Sequence, residues 1–141
     1  MTSYASDYPN VDFDAAYKKF FEDFYAISDT PDAHERYTEF FTKDATLIMA
    51  SKQVKGRDEI LGLRKSMWEK VSSRLHRPLQ IFPFGPGTNE VMLRGTVKYG
   101  LKAGGEAGVD WAAHARMTKV DGDVKMKFYQ VYLDTAAQAR S

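Results

Sequence analysis

The chain lacks cysteine and any long apolar run. The absence of cysteine excludes disulfide bonds and sites built on thiolates. No segment comes near the roughly 18 consecutive apolar residues of a transmembrane helix. Residues 1–14 lack the basic-then-apolar pattern of a secretory signal. We therefore expect a soluble cytoplasmic protein with no membrane partner.

Charge of one sign is not in excess either. Twenty Lys and Arg residues stand against nineteen Asp and Glu residues, which gives a net charge of +1. Domains that bind nucleic acid usually carry a basic surplus, so we expect no nucleic-acid partner. The three histidines, His34, His76 and His114, lie far apart, without metal-ligand spacing. The glycine-rich segments lack the strand–loop–helix setting of a phosphate site, so we expect neither a metal nor a cofactor.

Aromatic residues, by contrast, are abundant at 13% of the chain. They supply either a tightly packed core or a cavity lined by ring faces. A length of 141 residues fits one domain that is large enough to bury such a core. We predict an N-terminal extension over residues 1–12, a single domain over residues 13–134 and a frayed C-terminal tail over residues 135–141.

Apolar residues at helical spacing predict three helices in the first half of the chain. In the first helix one face is wholly aromatic, with Phe13, Tyr17, Phe20, Phe21, Phe24 and Tyr25. In the second, Thr30 is the predicted N-cap, Pro31 the first helical residue, and the apolar face extends to Phe41. The third is predicted from Asp58 to Val71, with Arg64 at the centre of its apolar face.

After Pro78 the apolar period changes from helical to two, which indicates strands. Two short β-prone runs, residues 46–50 and 53–56, come earlier. Four longer candidates are residues 75–84, 90–102, 108–120 and 124–134, separated by turn-forming Gly, Asn and Asp. This order predicts an α+β fold in which three N-terminal helices pack on one side of a strongly curved, mainly antiparallel sheet.

Three segments carry a family resemblance: FFTKDATLIM at residues 40–49, GRDEI at 56–60, and DVKMKFYQVYLD at 123–134. In this order of elements they resemble the nuclear transport factor two-like superfamily, and within it the SnoaL-like branch of polyketide cyclases, dehydratases and isomerases. The resemblance covers roughly residues 13–134. It implies an α+β barrel whose bent sheet and first helix enclose a cone-shaped apolar pocket, used for catalysis or only for binding.

The resemblance also points to an acid/base pair. Scytalone dehydratase, in the same superfamily, uses a histidine at the start of the corresponding strand and an aspartate at the end of the first helix. The matching residues here are His76 and Asp29, and an imidazole is suited to proton transfer at neutral pH. Alternatively, His76 is a rim histidine bonded to backbone and Asp29 is a turn residue or helix cap.

The best-known relatives keep further catalytic groups that this chain does not match. The second histidine of scytalone dehydratase falls near Gly95, and its carbonyl-binding tyrosine near Met49. The ketosteroid isomerase mechanism needs a carboxylate base and an acid in an apolar site. By resemblance these two positions fall near Met49 and Ala113, so a direct copy of that mechanism is not expected.

Arg64 is unexpected in an apolar helix face, because a buried guanidinium needs a carboxylate, a carbonyl or a ligand oxygen to meet. The alternative is that its stem packs while its head reaches solvent, toward Asp58 or Glu69. On the strand over residues 108–120, we favour Trp111 facing inward, which leaves His114 outside as the fallback acid/base. A one-residue change of register would reverse that assignment.

On the last strand, alternation places Gln130 and Tyr132 on the same face as Val124, Met126 and Phe128. We predict that this face is mostly core and that its two polar members hydrogen-bond an oxygenated ligand.

We expect a cofactor-independent isomerase, cyclase or dehydratase that acts by proton transfer on an oxygenated, apolar, polyketide- or terpenoid-like metabolite. His76 is its predicted acid/base, Asp29 the orienting partner, and Tyr25 or Arg64 the donor to a substrate carbonyl. The predicted apolar walls are Met49, Trp68 and Trp111.

The alternative is a non-catalytic ligand-binding or dimerisation module of the same fold. In that case bulky side chains fill the cavity, and the face of Tyr129, Val131 and Leu133 is buried against a second copy. A homodimer is expected under either hypothesis.

Overall fold

The computed structural model describes residues 4–138 and confirms an α+β architecture. Its helices are α1 (Ala15–Ser28), α2 (His34–Thr38), α3 (Arg57–Ser66) and a 3-10 helix over Thr135–Gln138. Its strands are β1 (Phe41–Met49), β2 (Lys52–Lys55), β3 (Val71–Pro83), β4 (Glu90–Leu101), β5 (Glu106–Val120) and β6 (Asp123–Leu133). None of the helices in these residues is long and apolar enough to cross a membrane.

The six strands form one mixed sheet in the order β2-β1-β6-β5-β4-β3. All neighbouring pairs are antiparallel except β1 and β6. The sheet is not closed, so β2 and β3 are its edges. Helix α1 packs against β3, β6 and α2, and covers the inner face of the sheet.

The predicted aromatic face of α1 is buried. Asp14 caps the helix, because its carboxylate accepts the N–H of Ala16 at 2.8 Å. The buried side chains of this helix include Phe20, Phe21, Phe24, Tyr25 and Ile27. Their rings also contact α2, β1 and β6, so α1 forms the centre of the core.

Three predicted helix boundaries are wrong. Helix α2 begins at His34, and the hydroxyl of Thr30 donates back to the carbonyl of Ala26 in α1 instead of capping the next helix. Helix α2 also ends at Thr38, so Phe41 begins β1 instead of extending the helix.

The third wrong boundary is the end of α3. This helix ends at Ser66, whereas Val71 begins β3 and pairs with Leu101. Contacts with other elements override the local apolar spacing.

The predicted orientation of β5 is confirmed, and that of β6 is wrong. Trp111 is buried and faces inward, whereas His114 lies on the outer face. Met117 pairs with Met126 and Arg116 with Phe128, so Lys127 is an extra residue, a β-bulge. The bulge reverses the alternation beyond it: Tyr129 and Val131 are buried, and Gln130 and Tyr132 lie on the outer face.

The predicted N-terminal extension is attached to the domain. Asp7 forms a parallel bridge with Gln80 of β3. The N–H of Asp7 donates to the carbonyl of Leu79 at 2.9 Å, and the carbonyl of Asp7 accepts the N–H of Ile81 at 3.1 Å. Residues 1–3, and residues 139–141 of the predicted tail, lie outside the described residues. The beginning of that tail forms the 3-10 helix rather than a frayed end.

Gly95 leaves the space that the Trp111 ring occupies. It lies in β4 between Pro78 of β3 and Trp111 of β5. A Cβ atom there would lie 2.2 Å from the carbonyl oxygen of Arg77 and 2.8 Å from the indole Cζ2 atom. The position of the Trp111 ring therefore depends on the absence of a side chain at Gly95.

We predict that Gly95→Ala lowers the free energy of unfolding by about 1–3 kcal/mol, because the added methyl group overpacks the sheet. The control is Gly62→Ala in α3, where no atom lies within 4 Å of the added Cβ. The control should stabilise the protein by about 0.5–1 kcal/mol through helix propensity. Urea unfolding measures both, and equal effects of the two changes would contradict the packing argument.

Candidate active site

A cavity of about 290 Å3 lies between the inner face of the sheet and the helices. Most of its wall is aromatic or aliphatic: Phe24, Tyr25, Tyr37, Met49, Leu63, Met67, Val97, Tyr99, Trp111, Tyr129, Val131 and Leu133. The charged or titratable side chains among the other lining residues are Lys52, Arg64, Arg74 and His76. Such a mostly apolar cavity with a few polar groups is typical of a small-molecule site.

His76 lines this cavity and is in direct contact with Asp29, which is not among the lining residues. Asp29 is the C-cap residue of α1, and His76 lies in β3, 47 positions further along the chain. The imidazole Nδ1 lies 2.6 Å from one carboxylate oxygen of Asp29. The other oxygen accepts the backbone N–H of His76 at 2.8 Å. The backbone bond positions the carboxylate against β3, and the bond to Nδ1 fixes the orientation of the ring.

Asp29 has a third donor, which comes from the N-terminal segment. The hydroxyl of Tyr4 donates to the carboxylate at 2.8 Å. Tyr4 is held there because residues 6 and 7 bond to β3, where the hydroxyl of Ser6 donates to the carbonyl of Pro78. Burial and the contact with Asp29 raise the pKa of Tyr4 to about 12, so it remains a donor at neutral pH. Sequence reasoning missed this residue because its contact spans 25 positions.

The contact with Asp29 determines the tautomer of His76. A carboxylate only accepts hydrogen bonds, so Nδ1 carries the proton and Nε2 keeps its lone pair. No hydrogen bond from residues 4–138 reaches Nε2. Burial lowers the pKa of His76, and the nearby Arg74 and Arg64 act in the same direction, although the Asp29 contacts oppose them. The ring is therefore neutral at neutral pH, with a free base nitrogen.

Aromatic groups surround the imidazole. The ring of Tyr25 lies 5.2 Å from it and that of Trp111 5.8 Å, between centroids. The hydroxyl of Tyr25 is hydrogen-bonded to that of Tyr129 at 2.7 Å. Burial raises the pKa of both phenols, so both stay protonated and the pair has one O–H to spare for a ligand.

Arg64 is fully buried, and its head does not reach Asp58 or Glu69. Its guanidinium donates to the carbonyls of Ser28 at 2.7 Å and Thr30 at 2.6 Å, and more weakly to that of Ile27 at 3.4 Å. These carbonyls lie at the end of α1 and just after it, where the helix satisfies its last carbonyls incompletely: those of Ile27 and Thr30 also accept the N–H groups of Thr30 and Ala33. Arg64 thus connects α3 to the end of α1, next to Asp29.

A further Arg64 donor is also used. Its Nε–H donates to Nδ1 of His34 at 3.1 Å, so that histidine is neutral and lies away from His76. Burial lowers the pKa of Arg64 to about 10, which still leaves it charged at neutral pH. Four of its five N–H groups have partners in the protein, so its main contribution is structural.

Arg74 is a cavity residue that sequence reasoning missed. Its side chain is 8% exposed, and its guanidinium lies over the rings of Trp68 at 5.1 Å and Tyr99 at 5.2 Å. One signal was available: Arg74 lies two positions before His76, and such residues share a face of a strand. Trp68, predicted as a wall, instead packs behind the arginines and is not part of the lining.

The other predicted site residues divide into two groups. Tyr25, Met49 and Trp111 line the cavity, as does the candidate catalytic residue His76. Gln130 and Tyr132 lie on the outer face, which corrects the prediction that they bind ligand. The fallback residue His114 is also outside, where Nε2 contacts Glu90 at 2.6 Å. Within residues 4–138, no group of three or more His, Asp or Glu could hold a metal ion.

We predict that Arg64→Lys lowers the free energy of unfolding by about 2 kcal/mol or more, because one ammonium cannot reach the carbonyls that the guanidinium serves. Arg36→Lys on the exposed surface of α2 is the matched control and should change it by less than about 0.5 kcal/mol. Denaturant unfolding of both variants measures the difference. An unfolding free energy in Arg64→Lys equal to the wild-type value would contradict the assignment.

No protein-family model matches the chain, and neither does any curated protein. Solved structures do match. A candidate scytalone dehydratase from Novosphingobium aromaticivorans aligns with a TM-score of 0.71 at 18% identity, over 86% of this chain and 83% of that one. A type 2 hexachlorocyclohexane dehydrochlorinase (LinA) gives 0.70 at 16%, over 85% and 84%.

A third solved structure is not named as an enzyme. Nuclear transport factor 2 from Cryptosporidium parvum aligns with a TM-score of 0.70 at 15% identity, over 89% of this chain and 98% of that one. At such identities a likeness shows the fold alone. The chain therefore has the nuclear transport factor two-like fold, with helices packed on an open, cone-forming sheet.

Proposed function

We propose that the protein is a cofactor-independent enzyme that moves a proton on an oxygenated, largely apolar metabolite, with His76 as acid/base and Asp29 as its partner. The observation that carries the proposal is the 2.6 Å contact between Nδ1 of His76 and Asp29 at the cavity wall. It leaves Nε2 unprotonated in a mostly apolar site, which is the arrangement that a general base requires.

The first step is removal of a proton from carbon. Nε2 of His76 takes the proton from a C–H next to a substrate carbonyl, and the C–H electron pair moves toward the carbonyl oxygen to form an enolate. The imidazolium that results is stabilised by the Asp29 carboxylate, to which its Nδ1–H already donates. Asp29 can stabilise this charge because its carboxylate accepts all three of its hydrogen bonds, two from His76 and one from Tyr4.

The second step returns the proton. In a dehydration, Nε2–H protonates a hydroxyl on the β-carbon, the C–O bond breaks, water leaves and the enolate electrons form the C=C bond. In an isomerisation, the same proton goes to another carbon of the conjugated system. One residue serves both steps, so neither outcome needs the second histidine whose place Gly95 takes.

Developing charge on the carbonyl oxygen needs a donor. Sequence reasoning assigned this role to Tyr25 or Arg64. Arg64 has little free capacity because backbone carbonyls and His34 occupy it. Arg74 and the spare O–H of the Tyr25–Tyr129 pair remain, and both are part of the cavity wall.

The names of two structural neighbours support the reaction class. Those proteins are a candidate dehydratase and a dehydrochlorinase, and both names describe removal of a hydrogen with a leaving group. We extend this elimination-type chemistry to the present chain on its own His76–Asp29 geometry. The specific metabolite, polyketide- or terpenoid-like, stays a prediction.

The non-catalytic module is less well supported. It predicts a filled cavity, whereas about 290 Å3 is open. It also predicts that Tyr129, Val131 and Leu133 face a second copy, whereas all three line the cavity. The likeness to nuclear transport factor 2 keeps a binding role as the second candidate. The homodimer, the cytoplasmic location and the lack of a cofactor stay predictions.

The first test is α-proton exchange, because it needs proton transfer and no known substrate. We expect the protein to accelerate hydrogen–deuterium exchange at the benzylic α-carbon of 2-tetralone in D2O, followed by NMR. His76→Ala should reduce the enzyme-catalysed rate by roughly 100-fold or more, because it removes the base.

The control for this test is His114→Ala. His114 has the same 2.6 Å contact to a carboxylate, that of Glu90, but lies on the outer face of the sheet. It should leave the exchange rate unchanged. Equal rates in wild type and His76→Ala would overturn the proposed function.

The pH dependence gives a second test. The base must be unprotonated, and burial lowers the pKa of His76 below its ordinary value near 6.5, so exchange should be constant at neutral pH and fall only in acid. Asp29→Asn removes the group that raises this pKa, so the fall should move to lower pH. The plateau rate should also drop, because the imidazolium loses its counter-charge. A decrease in exchange rate that begins at higher pH in Asp29→Asn than in the wild type would contradict this role of Asp29.

A further inference from the structure

We propose that Arg74 binds a carboxylate of the substrate, so that the cavity selects aromatic or polycyclic acids over their neutral counterparts. The inference rests on the proposed function for the reaction, and it adds the substrate class.

Arg74 has donors that the protein does not use. Its side chain is more than nine-tenths buried, yet its one hydrogen bond to residues 4–138 is from Nη2 to the carbonyl of Met67, at 2.9 Å. A guanidinium has five N–H groups. Arg64, in the same cavity, gives four of them to protein atoms. The fully enclosed unpaired side-chain nitrogens within residues 4–138 are the indole Nε1 atoms of Trp68 and Trp111, so the free donors of Arg74 are not sealed off and can meet a ligand in the cavity.

The guanidinium is also held in place without a bound ligand. The rings of Trp68 and Tyr99 lie 5.1 Å and 5.2 Å from its central carbon. Because these contacts restrict the long side chain, little entropy remains to be lost when an anion binds. A planar fork in a fixed position suits a carboxylate, which accepts two parallel N–H donors.

The charges of the cavity favour an anion. No acidic residue belongs to the lining, whereas Lys52, Arg64 and Arg74 are basic. The nearest carboxylate that the site uses, Asp29, already accepts from Tyr4 and from two donors of His76. The positive charge of Arg74 therefore has no counter-ion among the lining residues, and a substrate carboxylate would supply one.

The spacing along β3 links this subsite to the base. Arg74 and His76 are paired with Tyr99 and Val97 of β4 in uninterrupted register, so they share the inner face. Two residues of strand span about 6.6 Å. A carboxylate bound at Arg74 thus places carbon atoms a few bonds away beside Nε2, between the rings of Tyr25 and Trp111.

The test compares 2-naphthoate with 2-naphthamide, which have nearly the same shape and differ in charge. Isothermal titration calorimetry at neutral pH and low salt should show naphthoate binding to the wild-type protein about tenfold more tightly or better. Equal affinities, or no binding of either probe, would overturn the proposal.

Variants locate the effect. Arg74→Gln should abolish the preference for naphthoate, and Arg74→Lys should keep part of it, because the charge remains but the fork is lost. Arg94→Gln, on the exposed outer face where Arg94 meets Gln80, should leave the preference intact. A preference that persists in folded Arg74→Gln rules out this subsite. If Arg74→Gln does not fold, Arg74→Lys is the deciding variant. A preference for naphthoate as large as that of the wild type in Arg74→Lys would contradict binding by two parallel guanidinium donors.

The two proposals fail separately. His76→Asn removes the base but not the carboxylate subsite, so it should retain the naphthoate preference. A preference without any wild-type exchange of 2-tetralone protons would refute the proposed function and leave the subsite. Exchange of 2-tetralone protons without a preference for naphthoate would refute the subsite and leave the proposed function.

Discussion

The site depends on how the end of α1 is held. The buried guanidinium of Arg64 donates to three carbonyls there, those of Ile27, Ser28 and Thr30. An arginine does this because its donors point in several fixed directions at once. The helix end is thereby fixed against α3, and the carboxylate of Asp29 follows directly after it. A looser end would leave the distance between Asp29 and β3 undefined.

Two opposing effects then act on His76. Burial among aromatic rings disfavours the charged imidazolium, while the Asp29 carboxylate favours it. Because burial is the larger effect, the imidazole is neutral before the reaction. The carboxylate of Asp29 stabilises the imidazolium that forms during turnover. Tyr4 supports this balance from the N-terminal segment by holding the second carboxylate oxygen. His76 is therefore a weaker base than a free imidazole, but its unprotonated Nε2 is held in position.

Much of the fold was predictable because long periodic segments dominate it. The aromatic face of α1 follows from helical spacing and the inward side of β5 from unbroken alternation, and Trp111 was placed correctly for that reason. The bulge at Lys127 was not predictable, since it depends on pairing with β5, and it moved Gln130 and Tyr132 outside. His76 and Asp29 were paired by resemblance, not by pattern. Arg74 was overlooked because its burial depends on Trp68 and Tyr99, one of them 25 positions away.

The proposed chemistry requires His76 to be a neutral base with its proton on Nδ1. It is tested most directly by the 15N chemical shifts of the His76 ring, recorded by long-range correlation NMR across a pH titration. The account predicts a protonated Nδ1 and an unprotonated Nε2 at neutral pH, with a midpoint below the ordinary histidine value near 6.5. A proton on Nε2, or an imidazolium that persists above neutral pH, would contradict it.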